Sequence, residues 1–125
     1  KFIKHVYFYK FNYFSQIHNI IIAPPTEPEQ ITIVSLLTTS LRLTWSEPAE
    51  SYGQHVLFYS VNCTSATHTV RVERVYNTTV NMSGLTPNSN YTCCVSASNQ
   101  AGEGNKISVK AKTKQGIYFG THFII

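Results

Sequence analysis

The chain has 125 residues and a formal net charge of +4, with ten Lys or Arg against six acidic residues; that length holds one domain with a core of its own. Lys1, Lys4 and Lys10 carry most of the excess, so Pro24 to Gln115 holds seven basic residues and six glutamates, a net of +1, and no basic stripe is left there to bind nucleic acid. Every acidic residue is Glu, which excludes a Ser-His-Asp triad within the chain and removes many carboxylate-based metal schemes.

Residues 1–22, KFIKHVYFYKFNYFSQIHNIII, have a composition of their own. Seventeen of the 22 are Phe, Tyr, Ile, Asn or Lys, and none is Pro, Gly or acidic. Lys4, His5, Lys10, Asn12, Gln16, His18 and Asn19 break every apolar run. The segment is therefore too interrupted for a secretory leader, which needs about 7–15 apolar residues, or for a membrane helix, which needs roughly 20. Its five dominant residue types are those of AT-rich codons. We expect translated non-coding sequence or a gene-model error lying outside the fold, the alternative being an extension that orders on a partner. The tail 116–125 ends in the similar GIYFGTHFII, and the chain does not begin with Met, so it reads as a piece of a larger protein. Residues 23–29, APPTEPE, are a proline-rich lead-in of the kind found between domains, because proline removes backbone donors and favours extended chain. The folded unit is expected over 23–115.

Within that unit no helical period stands out, and short alternating runs are separated by turn residues. ITIVSLL (31–37) is rich in strand formers. SLRLTW (40–45) turns Leu41, Leu43 and Trp45 to one face. VLFYSVNC (56–63) does the same with Leu57, Tyr59, Val61 and Cys63, after the loop SEPAESYGQ. HTVRVERV (68–75) alternates Val70 and Val72 with Arg71 and Glu73, and TTVNMSGL pairs Val80 with Met82. After the turn TPNSN, YTCCVSASN (91–99) places Tyr91, Cys93, Val95 and Ala97 on one face, with Thr92, Cys94 and Ser96 on the other. NQAGEGN reads as a hairpin loop, and KISVKAKTK sets Ile107, Val109 and Ala111 against four lysines. Seven strands, each with one apolar face, make an all-β, seven-stranded antiparallel β-sandwich, with a closed barrel the less favoured solution.

These residues resemble a fibronectin type III domain. The features run in that family's order: a proline-rich start, Trp45 on the second strand, Tyr59-x-Val61 on the third, then GLTPNSNYTCCVSASNQAGEG with its Gly-Leu-x-Pro turn, a tyrosine corner at Tyr91 and an Ala-x-Asn strand end before a Gly-rich loop. The resemblance covers about residues 24–114. An immunoglobulin domain would read Cys, Trp, Cys, whereas here the order is Trp45, Cys63, Cys93. The resemblance implies a core around Trp45, Tyr59, Leu85 and Tyr91, with the Tyr91 hydroxyl bonded to backbone near Leu85. It also makes the third and sixth strands antiparallel neighbours, which sets Cys63 against Cys93 for a disulfide; the alternative is two reduced thiols buried as small hydrophobes. Cys94 then faces outward as a free thiol, an intermolecular partner or a Ser-like surface residue.

Four N-x-S/T sequons, at Asn62, Asn77, Asn81 and Asn90, are candidates for N-glycosylation, with Asn77 best placed in a loop. The five histidines are scattered without metal-ligand spacing and no G-x-S-x-G occurs, so no catalytic, cofactor or metal site is expected. Lys110, Lys112 and Lys114 share a face of the last strand. They read either as a surface for an anionic partner or as charge that keeps an edge strand soluble. The expected function is that of an extracellular or cell-surface interaction or spacer module, beside neighbouring domains of an adhesion or receptor-type protein. Protein partners are expected, but no nucleic acid and no membrane span. An ectodomain piece of a receptor kinase or phosphatase, and an intracellular structural module, are the alternatives.

Overall fold

Alternation with a period of two decides this architecture, because each strand can bury one face only by packing it on another sheet. A computed structural model describes residues 7–13, 16–119 and 122–124. In chain order the strands are β1 (Tyr7–Tyr13), β2 (Gln16–Ile22), β3 (Glu29–Leu36), β4 (Leu41–Ser46), β5 (Phe58–Thr64), β6 (Thr69–Val75), β7 (Thr79–Met82), β8 (Asn90–Asn99), β9 (Gly102–Lys112), β10 (Ile117–Phe119) and β11 (His122–Ile124). Among the described residues there is no helix, and so none long and apolar enough to cross a membrane.

Seven of these strands form the two sheets of a sandwich, one ordered β3-β4-β7 and the other β6-β5-β8-β9. All pairings are antiparallel. The inward side chains are Leu41, Leu43 and Trp45 from β4, Tyr59, Val61 and Cys63 from β5, Met82 from β7, and Tyr91, Cys93, Val95 and Ala97 from β8, joined by Leu85 from the β7–β8 turn. Fully burying each large side chain contributes about 1.5–3 kcal/mol. Trp45 and Tyr59 meet edge to face at 5.3 Å, the arrangement that the ring quadrupoles favour. Trp45 Nε1 is buried without a hydrogen-bond partner among the described residues.

Four register shifts shape the sheet edges, and two of them carry a residue of positive φ. β3 shifts register against β4 between Glu29 and Thr32, where Gln30 has φ of 54°. β6 shifts against β5 opposite Tyr59 to Val61, and there Arg74 has φ of 58°. The second bulge sets the Arg74 guanidinium 4.8 Å from the Phe58 ring centre. Such bulges twist edge strands and hinder pairing with other chains.

Several expectations need correction. The third strand starts at Phe58 rather than residue 56, and Leu57 is 46% exposed. It lies beyond the last register pair, Phe58 with Ser98, where alternation no longer sets its face. Ser96 keeps its expected outward face, opposite Lys106, but is covered there and only 1% exposed. β5 and β9 flank it on the central strand, and its hydroxyl bonds the Glu103 carboxylate. The loop NQAGEGN contracts to a turn at Gln100–Ala101, with Gly102 already in β9. Outside the sandwich, β1 pairs with β2 and β10 with β11 as separate hairpins, where the sequence suggested no strands. The expectation that residues 1–22 and 116–125 stand apart from the fold also touches residues 1–6, 14–15, 120–121 and 125, which lie outside the described residues.

Candidate interaction surfaces

Two ends of the sandwich are bolted by a disulfide and by polar contacts that reach across turns and strand ends. At the end where β8 begins, Cys63 and Cys93 stand directly opposite on β5 and β8 and form a disulfide with a Cα separation of 4.0 Å. Both are fully buried. Alongside, the Tyr91 hydroxyl accepts the Thr86 amide at 2.8 Å, closing the turn of residues 84–89, where Gly84 and Asn88 take positive φ. The His68 ring, reaching over from the β5–β6 turn, bonds the Gly84 carbonyl through Nε2 at 3.0 Å and lies edge-on to Tyr91. Thr113 anchors the departing chain. Its hydroxyl donates to the Thr86 carbonyl at 2.6 Å and accepts the Ser89 amide at 2.9 Å. Beyond it the Lys114 amide bonds the Leu37 carbonyl.

At the opposite end the lead-in is clamped. Asn99 donates through Nδ2 to the carbonyls of Ala23, at 2.8 Å, and Ser51, at 3.2 Å, and Thr26 exchanges backbone and hydroxyl bonds with Glu50. Pro25 passes so close to Gly104 that a Cβ there would collide with the Pro25 carbonyl. The glycine is required by this approach, not by its backbone angles. Burial at this end pushes the Tyr59 phenol above its ordinary pKa, and the Glu47 carboxylate adds to the shift.

The outer face of the four-stranded sheet is polar. Across it run the rungs Thr64–Thr92–Lys110 and Asn62–Cys94–Ser108, and at its margin Asn90 opposes Lys112. Asn90, Tyr91, Thr92, Lys110, Ala111 and Lys112 line an open groove. Lys114 is exposed and follows the buried Thr113, past the end of β9, outside this groove. The ion pair of this sheet is Arg71–Glu73, at 2.6 Å on β6, which holds the Glu73 carboxyl below the usual range. Of the sequons, Asn77, Asn81 and Asn90 are exposed and Asn62 is half-buried. Cys94 is half-buried and unpaired. Among the described residues no group of His, Cys and Glu is gathered to hold a metal.

The family model for the fibronectin type III domain matches residues 24–114. The chain belongs to the fibronectin type III family. The fibronectin type III fold is likewise that of solved structures of low identity. One comprises domains from titin, at 23% identity and a TM-score of 0.66, with 79% of this chain and 37% of that one covered. The FN5 domain of Drosophila Lar follows at 21% and 0.62, covering 74% and 99%. The chicken CNTN1 FN1–FN3 domains give 24% and 0.64, covering 81% and 37%. The chain thus spans well under half of the titin and CNTN1 structures. No curated protein sequence matches it.

In this fibronectin type III domain the sequence shows Cys63, Cys93 and Tyr91 among the residues that bolt the ends, but not their other partners. His68, Asn99, Gly104 and Thr113 lie in turns, at strand ends or in an irregular strand start, where periodicity carries no information. Asn99 left one signal, its place at the end of the Ala-x-Asn motif, but its partner Ala23 is 76 positions away. The motif residues Trp45, Tyr59, Leu85 and Tyr91 are all buried.

Proposed function

We propose that this fibronectin type III domain serves as a non-catalytic interaction or spacer module on the extracellular side of an adhesion or receptor-type protein. The Cys63–Cys93 disulfide carries the reading, since such bridges form and persist in oxidising compartments. Exposed Asn77, in a loop beside the 71%-exposed Tyr76, adds a sequon accessible to the glycosylation machinery. The two clamped ends suit a unit set between neighbours, which are the partners this reading implies first. The module of an intracellular structural protein is the second reading, favoured by the likeness to titin domains. The test is peptide mapping of the protein from its own cells under non-reducing conditions. A Cys63–Cys93 peptide and a glycan on Asn77 are expected. Reduced Cys63 and Cys93 with bare sequons would overturn the extracellular placement in favour of the second reading.

A further inference from the structure

The groove on the outer face of β8 and β9 brings together two features that the sequence keeps 20 residues apart. On one wall stands Asn90 of the sequon Asn90-Tyr91-Thr92, and on the other Lys110 and Lys112. Asn90, Lys110 and Lys112 are all exposed. Alternate residues of a strand lie about 6.6–7 Å apart along one face, so the two ammonium groups line up along β9, and Lys106 continues their row on the same face, opposite Ser96. The neighbours across the sheet, Asn90, Thr92 and Thr64, are uncharged. Glu73 is held by Arg71 and Glu103 by Ser96. Among the described residues no carboxylate is paired with these lysines.

We propose that Lys110 and Lys112 dock a linear sulfated polysaccharide along this groove, and that a glycan on Asn90 closes the same groove to it. The charge pattern favours a linear polyanion. Lysine ammonium groups are compact point charges that attract an anionic group without fixing its geometry, and a row of them along one strand follows a chain better than it encloses a single ion. The sugar acts by position. Asn90 directly opposes Lys112, so an N-linked glycan starts beside one docking charge and next to the rung of the other, and occupies the space into which the polysaccharide would lie. The docking half needs no secretion. The glycan half rests on the extracellular reading above.

The test uses the whole 125-residue chain with its disulfide formed, and heparin as the probe. Unglycosylated protein is expected to bind heparin, and the double substitution K110S/K112S to weaken binding about fivefold or more, with the salt dependence reduced. Both variants lie on the solvent face, and an unchanged unfolding midpoint confirms an intact fold. Protein made in a secretory host with Asn90 occupied is expected to bind as weakly as that double variant, while N90Q from the same host regains full binding. Equal heparin binding by K110S/K112S and the parent chain overturns the docking site. Preferential binding to phosphatidylserine vesicles, uncompeted by heparin, reassigns the groove to a membrane and overturns the polysaccharide. An unoccupied Asn90, or occupied protein that binds as well as N90Q, overturns the glycan gate. Failure of the extracellular reading would instead appear in the native protein, as bare Asn77 and reduced cysteines, with the heparin results of the unglycosylated chain unchanged.

Discussion

At the scale of single residues, the features that define this domain are side chains with a few specific partners each. Tyr91 spans the β7–β8 turn with a hydroxyl that satisfies the Thr86 amide, and its ring is 1% exposed. Tyr91→Phe keeps the packing and strips the acceptor, leaving a part-buried N–H unpaired. Urea denaturation is expected to show a loss of about 1 kcal/mol or somewhat more, and an unchanged midpoint would show that the hydroxyl contributes nothing to closing the turn. Tyr59 makes a pH prediction. Its phenol titrates higher in the folded chain than the ordinary value of 10.0, through burial first and Glu47 second. Between those two values the folded state keeps a proton that the unfolded chain releases. The resulting stability is whole below pH 10 and is lost as pH rises through the folded value. Denaturation series above pH 10 are expected to fall less steeply for Tyr59→Phe than for the parent chain; parallel curves would contradict this. The core tyrosines were legible because alternation and motif both placed them. The burial of Ser96 on its outward face was not legible, because it comes from two flanking strands and from Glu103, which its own strand does not specify.

At the scale of elements, the disulfide ties neighbouring strands within one sheet rather than bridging the sheets. β5 and β8 are the central strands of the four-stranded sheet, and the bridge joins them at Cys63 and Cys93, 30 residues apart. Closing a loop of that size constrains the unfolded chain by about 3–4 kcal/mol in the chain-entropy model. Reduction is expected to lower the unfolding free energy by about that amount without preventing folding, since the remaining core stays apolar. Guanidinium denaturation with and without reductant measures it, and Cys94→Ser is expected to leave the difference intact. A difference that vanished in that variant would mean that Cys94 is the bonded thiol. The doubled cysteine was resolvable from sequence because adjacent strand residues take opposite faces. Strand neighbourhood was not available from alternation, and it came only with the family resemblance.

At the scale of the whole molecule, the chain enters and leaves at opposite ends. Ala23 to Thr26 are held beside Asn99, at the finish of β8, and Thr113 beside Ser89, just before its start. Ten residues of β8 separate the two ends, about 33 Å, which is the arrangement of a unit strung between neighbours. The clamps also bound the unit. Ala23 is fully buried, whereas β1 and β2 pair only with each other. A chain trimmed to residues 23–115 is expected to match the full chain in unfolding free energy within about 0.5 kcal/mol, as measured by denaturant midpoints; a larger loss would make residues 1–22 or 116–125 part of the fold. Sequence by itself determined the seven strands of the sandwich, most of their buried faces and the sandwich class, because these depend on polarity repeating every second residue and on turn chemistry, both local properties. Tertiary structure alone decided which ends are clamped, that Lys110 and Lys112 share a groove with Asn90 while Lys114 does not, and that Gly104 must lack a side chain. Those outcomes depend on contacts between segments far apart in the chain, whose pairing is set by the packing of the two sheets and not by any one segment.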